Sequence, residues 1–323
     1  MSPGTERADM LAGEGALELS IVVVSYNTRA LTLACLASVY EFLSGPSFEV
    51  LVVDNASSDG SEQAIREEFP QVAMIAPGSN LGFGRANNLA AQHSRGARLL
   101  LLNPDTEILE GSLEAMYAAS MRSDHDVLLG GRTFYADGRL EPRSCCGNPS
   151  IWSLFCMATG LARLAPGTRL LDPESMGRWQ RDSVRDVDII AGCLLMITRR
   201  FWDELGGFDE SFFMYGEDYD LCMRAWAAGG RCTLLPEAKI IHHVGASEAV
   251  RADRMIKIFR SRAQLCKKHW HGTRAWIGIR ILDGWALGRM LAFRLVGLAS
   301  GRFSRSSQTW SDIWAGREEW RGC

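Results

Sequence analysis

From Leu19 onward the chain alternates short apolar runs with amphipathic stretches. LSIVVV (19–24) is a continuous, largely β-branched run, the pattern of a strand buried on both faces. A helical stretch from about Thr28 to Leu43 follows, stopped by Gly45-Pro46. FEVLVV (48–53), VAMI (72–75) and RLLLL (98–102) repeat the strand signal, with helices predicted at 61–69, ending at Pro70, and from Gly84 to about Arg95. Strand and helix alternating at roughly 25-residue spacing predict parallel βαβ units in a sheet covered on both faces. The second half is less regular. VLLGG (127–131) and DIIAGCLLMI (188–197) read as strands, and 140–180, rich in Pro, Gly and Arg, reads as loop. Helices are expected at 199–205 and 219–228, last strands at CTLL (232–235) and KIIHH (239–243), and helix nearly everywhere beyond Ala249.

With 323 residues, 47% hydrophobic and 23% charged, the chain can fill one large domain or two modest ones. No repeat or biased tract runs through it, which excludes collagen, coiled coil and low-complexity disorder. A run of about 18 apolar residues, which a standard membrane-spanning helix needs, does not occur. Residues 1–17 carry acids and no apolar h-region, so a flexible leader is expected there rather than a secretory signal. The nine cysteines show no paired metal-like spacing and are expected to be reduced, buried thiols.

The net charge of −3 hides a split. Residues 250–323 hold 15 Lys/Arg against 5 Asp/Glu, leaving 20 of the 35 basic and 33 of the 38 acidic residues before them. An acidic body with a basic tail implies an anionic partner for the tail, lipid or polynucleotide. Within the tail, WIGIRILDGWALGRMLAFRLVGLAS (276–300) is too charged to span a membrane and very apolar for water. It matches an interfacial helix with Trp and Leu among acyl chains and Arg among headgroups, or a helix packed on protein. The absence of a lysine-rich run and of RNA-motif aromatics argues against nucleic acid.

Polar clusters fall where predicted strands end: SYN after the first, DNASSD after the second, NPD after the fourth. In open α/β sheets, ligands gather beyond these carboxyl ends. Asp59 and Asp220 are best read as capping or turn residues. Asp105 differs, because an apolar strand delivers it and Pro104 stiffens its turn. A hard divalent cation, Mg²⁺ or Mn²⁺ on a diphosphate, needs only one or two such protein ligands. His242 and His243 are neighbours on a strand, so at most one can face the cleft. NLGFGRANN (80–88) contains GFG, but Asn87 replaces the third glycine of a dinucleotide loop and no strand directly precedes it. Its glycines are expected to let the backbone approach a nucleotide or a neighbouring element.

Six segments in order, SIVVVSYN, VLVVDNASSDGS, NLGFGRANN, LLLNPDT, GGFDESFFMYGEDYDLCMR and IHHVGAS, resemble the family 2 inverting glycosyltransferases of GT-A fold over about residues 19–250. Among these the chain is most similar to bacterial rhamnosyltransferases of cell-wall and surface polysaccharide assembly. The resemblance implies an α/β fold over residues 18–250: a Rossmann-like, mixed but mainly parallel sheet flanked by helices. A basic amphipathic helical tail would follow at 251–323. Ser25, Tyr26 and Asn27 would line the nucleotide pocket, and Asp54 would bond the pyrimidine base with Asn55 beside it. Asn80 and Arg85 would border the nucleotide and diphosphate, with Asn87 and Asn88 nearby. Asp105 would ligate the metal as the last acid of a DxD-like triplet, here Asn103-Pro104-Asp105, whose first acid is missing. His242, five residues before Ser247, would be a further ligand in preference to His243.

Asp218 matches the catalytic base, kept ionised by a helix N-terminus. Glu217 would orient the site or the acceptor, and Arg224 would pair with these acids or with a phosphate. The implied reaction is a single in-line displacement, assisted by Mg²⁺ or Mn²⁺, from a nucleotide sugar to a hydroxyl of a lipid-linked saccharide. dTDP-rhamnose is the favoured donor, with a UDP- or GDP-sugar as alternatives. The implied location is cytoplasmic, attached peripherally to an anionic membrane at the inner face of the plasma membrane through the tail. A homo-oligomer is compatible with the sequence. Two rivals remain. A nucleotidyltransferase would need a glycine-rich basic loop after the first strand, which SYNTRA is not. A catalytically silent sugar-nucleotide-binding assembly subunit would not need Asp218.

Overall fold

The structure is a computed structural model describing residues 17–243, 251–299 and 304–323. The first half follows the predicted alternation: β1 (Leu19–Ser25), α1 (Arg29–Phe42), β2 (Phe48–Asp54), α2 (Ser61–Glu68), β3 (Ala73–Ile75), α3 (Phe83–His93) and β4 (Arg98–Leu102). All seven residues of β1 are buried, as a β-branched run between two paired strands requires. β1 pairs in parallel with β2 and β4, Leu19 standing opposite both Phe48 and Arg98. Next come β5 (Thr106–Ile108), α4 (Ser112–Arg122), β6 (Val127–Phe134), β7 (Cys145–Cys146), α5 (Ile151–Thr159) and α6 (Leu161–Leu164). They are followed by β8 (Arg185–Asp186), β9 (Ile189–Ile190), β10 (Leu194–Thr198), α7 (Arg199–Leu205), α8 (Glu217–Ala227) and β11 (Arg231–His242). Helices α9 (Arg251–His269), α10 (Thr273–Ala299), α11 (Ser304–Ala315) and α12 (Glu318–Arg321) complete the chain.

Among the described residues the main sheet has the order β3-β2-β1-β4-β10-β6-β11-β5, with β8 on β11. β3, β2, β1 and β4 are mutually parallel, and so are β6 and β11, while β10 runs antiparallel between β4 and β6. The sheet is therefore mixed and mainly parallel with flanking helices. Its core is built from Ile21, Val23, Leu36, Val52, Leu100, Leu102, Met196 and Ile240. Each such fully buried side chain contributes about 1.5–3 kcal/mol relative to exposure.

Four local expectations change. The 140–180 segment holds α5, which starts at a reciprocal cap: Ser153 N donates to Ser150 Oγ at 3.0 Å and Ser150 N to Ser153 Oγ at 2.8 Å. DIIAGCLLMI breaks into β9 and β10 around Ala191–Cys193. The two last strands are one, β11, with a register shift between Leu235 and Lys239 that accommodates Pro236. The three-residue β5 carried no strand signal in the sequence.

The chain forms two compact units. One takes the described residues up to Cys146, with Trp179–Phe213 and Glu217 to the end of β11. The other takes Gly147–Arg178, Met214–Gly216 and α9–α12, so the expected loop at 147–178 folds with the tail helices. This helical unit has its own core of Leu154, Phe259, Trp270, Leu282, Ile313 and Trp320. Asp283 on α10 is buried and takes hydrogen bonds from Trp320 Nε1 and from Arg321. Asp283 thus serves internal packing, while Arg274, Arg280 and Arg294, like Trp276, Leu291, Leu295 and Val296, stand exposed. Among the described residues, no helix is long and apolar enough to cross a membrane.

Candidate functional site

The parallel strands end on one rim. Ser25 and Asp54 are paired at the ends of β1 and β2, and Asn55 N donates to Ser25 O at 2.8 Å. Beyond them the chain turns through Asn27 (φ +53°) and Ala56 (φ +65°), left-handed conformations that non-glycine residues adopt at some cost. The two turns are laced together: Ser58 N donates to Asn27 Oδ1 at 2.7 Å, and Asn27 N to Ser57 Oγ at 3.0 Å. Asp54 is buried; its Oδ2 accepts from Ser57 N at 3.0 Å, while Oδ1 has no hydrogen-bond partner. A buried acceptor left open needs an external donor, and the N3–H of a pyrimidine base is one. Tyr26, which follows Ser25 at the end of β1, is 43% exposed.

Other residues predicted for the pocket bond to the protein itself. The Ser25 hydroxyl joins those of Thr28 and Thr32 in a buried cluster. Asn55 is a latch: its Nδ2 donates to Asn80 Oδ1 at 3.0 Å and to Gly82 O at 3.2 Å, and Leu81 N donates to its Oδ1. Arg85 is exposed, with Glu210 3.4 Å away. Asn88 clasps Phe208 through both main-chain groups. The GFG glycines serve close approach. Gly82 has φ +81° and a Cβ there would lie 2.2 Å from Phe213 O, while a Cβ on Gly84 would lie 3.8 Å from that of Glu217. NLGFGRANN therefore packs on the start of α8, where Glu217 is buried.

Asp105 and the β11 histidines form the second cluster. His242 Nε2 lies 3.3 Å from Asp105 Oδ1, whereas His243 turns its Nε2 to Glu107 at 2.6 Å. The alternation on β11 thus selects His242. Its other nitrogen, Nδ1, is 3.0 Å from Glu141 Oε2. Burial opposes a charge on this imidazole, but hydrogen bonds to Asp105 and Glu141 outweigh it and raise the pKa to about 9. Asn103 Oδ1, two residues from Asp105, is a buried acceptor without a partner. Glu141 carried no signal in the sequence, being a single acid in a segment that reads as loop.

Asp218 occupies the first turn of α8. Its Oδ2 accepts from Gly192 N at 3.1 Å and its Oδ1 from Tyr219 N at 2.9 Å. The break between β9 and β10 supplies the first of these bonds. Cys193, next in the chain, links the clusters: burial and then the charges of Glu141, Asp105 and Asp218 push its thiol pKa far up, and Asn103 N donates to its carbonyl at 3.1 Å. The Gly192–Cys193 turn thus holds Asp218 on one side and Asn103, two residues before Asp105, on the other, while His242 joins Asp105 to Glu141. Asp59 and Asp220 stand apart from these contacts. Asp59 accepts from Arg29 N and Ser61 N at two helix starts, and Asp220 pairs with Arg224 at 2.8 Å.

A mixed sheet of this order, with Asp54 ending β2, Asp105 in the turn after β4 and Asp218 opening α8, has the architecture of the GT-A fold. Residues 20–166 match the model of Glycosyl transferase family 2, and residues 173–316 that of Glycosyl transferase family group 2. The chain is 31% identical over 238 residues to the N-acetylglucosaminyl-diphospho-decaprenol L-rhamnosyltransferase of Mycobacterium tuberculosis, spanning 70% of this chain and 76% of that one. The chain belongs to glycosyl transferase family 2 and is a glycosyltransferase. Its fold is similar to that of the mannosyltransferase PcManGT from Pyrobaculum calidifontis in complex with GDP-Man and Mn²⁺, at a TM-score of 0.55, 17% identity and coverage of 98% and 93%. GalNAc-T7 with UDP, GalNAc and Mn²⁺ gives 0.54 and 16% identity, covering 79% of this chain and 51% of that one.

Proposed function

We propose that this enzyme transfers L-rhamnose from dTDP-rhamnose to a hydroxyl of a lipid-linked saccharide in cell-wall or surface polysaccharide synthesis, inverting the anomeric configuration. The observation that carries the reading is the set of contacts joining the acids: Gly192 N on Asp218 Oδ2, the adjoining Cys193 carbonyl taking Asn103 N, and Asp105 meeting Glu141 across His242. The donor and acceptor classes rest on the relative whose name specifies L-rhamnose and a diphospho-decaprenol-linked N-acetylglucosamine. Asp54 Oδ1 suits the base of the nucleotide, and Tyr26 and Asn27 border it.

Asp105 and His242 would hold the divalent cation, Mg²⁺ or Mn²⁺. The fit is chemical: a carboxylate and an imidazole lie 3.3 Å apart, and Asn103, two residues before Asp105, has a buried side-chain oxygen without a partner. Among the described residues no group of three or more His, Cys, Asp or Glu side chains is arranged to hold a metal ion, so diphosphate and water would have to complete the shell. When bound, such a cation supplies positive charge that offsets the charge developing on the leaving diphosphate. Asp218 removes the proton of the acceptor hydroxyl as the C–O bond forms, its carboxylate oriented by Gly192 N and Tyr219 N. Glu217, buried beside it, helps to orient the acceptor.

Asp218→Asn keeps the shape and removes the base. Transfer from dTDP-rhamnose to a polyprenyl-diphosphate-linked N-acetylglucosamine should fall about 10²–10⁴-fold in kcat, with donor binding retained in a thermal-shift titration. Undiminished transfer by the variant would refute the assignment of the base. A product retaining the donor's configuration would refute the single displacement.

The proposed place of work is the cytoplasmic face of the plasma membrane, with peripheral attachment through the helical unit. Support comes from apolar side chains left outside: Trp152 and Phe155, stacked on α5, and Trp276, Leu291 and Leu295 on α10. The arginines 163 and 169, also exposed, suit anionic headgroups.

A further inference from the structure

Glu141 has no role in the reaction described so far, yet it is only 4% exposed. A carboxylate is buried at high cost unless it is paired, and its partner is His242 Nδ1 at 3.0 Å. The main chain fixes it firmly. β6 ends in a tight turn, with Tyr135 N donating to Arg139 O at 2.8 Å and Gly138 N to Tyr135 O at 2.9 Å. The chain then returns along β6: Leu140 bridges to Phe134, and Glu141 N donates to Thr133 O at 2.8 Å. β6 is also the parallel partner of β11, Phe134 standing opposite Ile241. One strand thus aligns both the carboxylate and the imidazole.

The two imidazole nitrogens are thereby divided, Nδ1 facing Glu141 and Nε2 facing Asp105. An acceptor at Nδ1 keeps a proton there, which leaves Nε2, on the Asp105 side, as the nitrogen that would ligate when a metal displaces its proton. We propose that Glu141 is a positioning residue that fixes the tautomer and ring plane of His242, so that Nε2 and Asp105 Oδ1 share one divalent cation. The inference rests on the metal reading of Asp105 and His242 above. Glu141, on the far nitrogen, would not itself be a ligand.

The test is Mn²⁺ binding to the full chain with saturating dTDP, followed by the electron paramagnetic resonance of free Mn²⁺. Spin-echo modulation from a directly bound imidazole nitrogen supplies a second readout independent of turnover. Glu141→Ala and the volume-matched Glu141→Met should weaken Mn²⁺ about 10–100-fold and diminish the modulation, whereas Glu141→Gln, whose carbonyl still accepts from Nδ1, should stay within about threefold of wild type. Glu141→Ala combined with His242→Ala should bind no more weakly than His242→Ala alone, because the effect runs through the ring. The double variant also leaves no unpaired member of the buried pair. If Glu141→Ala or Glu141→Met binds Mn²⁺ like wild type while His242→Ala weakens it, the positioning role is overturned and the metal reading stands. If Asp105→Asn and His242→Ala leave Mn²⁺ binding unchanged, the metal reading falls and this inference with it.

Discussion

Asp220 and Arg224 lie one turn apart on α8, and their surroundings decide between two roles that the sequence allowed for the arginine. Asp220 is fully buried, and the guanidinium that pairs with it also donates to Leu205 O at 2.6 Å and Gly207 O at 2.8 Å. Arg224 thus ties α8 to the turn after α7, three of its five donor hydrogens being held by these bonds. Arg224→Met, which strands the buried acid, should destabilise the protein by about 3–5 kcal/mol in urea unfolding. The donor KM should stay unchanged; a weakened donor KM at full stability would return Arg224 to the diphosphate. Asp54, Asp105 and Asp218 were legible because each follows an apolar run or opens a helix, where a side chain must emerge at the rim. Glu141 was not, because only the return of the chain along β6 brings it to His242. Asn55 and Asn80, expected beside the nucleotide, bond to each other, a contact that can be read only in three dimensions.

Helices and strands were legible wherever their own hydrophobic pattern sufficed. RLLLL was placed to the residue, since four consecutive leucines between Arg98 and Asn103 have few alternatives. DIIAGCLLMI read as one strand because Ala, Gly and Cys do not interrupt hydrophobicity. They interrupt the backbone instead, where Gly192 N turns to Asp218. NLGFGRANN is shaped by contact as well as conformation, and its glycines allow a test. Gly78 and Gly82 have nearly the same φ, +78° and +81°, but only at Gly82 would a Cβ strike backbone, at Phe213 O. Gly78→Ala should cost about 1 kcal/mol from the left-handed conformation alone, and Gly82→Ala clearly more, about 2–3 kcal/mol. Equal shifts in thermal unfolding for the two variants would show that the approach to Phe213 is relaxed at little cost.

At the scale of the whole molecule, the basic tail folds into a helical unit with its own aromatic core, joined by the 147–178 segment that reads as loop. Arg280 and Arg321 meet Asp283 there, so part of the tail's charge is spent on internal pairing. What remains outside is apolar as well as basic, and a membrane surface would engage both. The full chain should float with phosphatidylglycerol vesicles, less so at 0.5 M salt, and Trp152→Ser with Phe155→Ser should reduce flotation. Protein that stays in the dense fraction at low salt, with or without anionic lipid, would rule out peripheral attachment.

The sequence by itself determined the alternating βαβ order, the acids at the strand ends and the family, because these rest on local patterning and on motifs contiguous in the chain. The tertiary structure alone decided which histidine faces Asp105, that β10 runs against its neighbours, and that His242 joins Asp105 to Glu141 while the Gly192–Cys193 turn holds Asp218. Pairing direction, strand register and the path of a returning loop depend on contacts between segments a hundred residues apart, and no periodicity within a single segment encodes them.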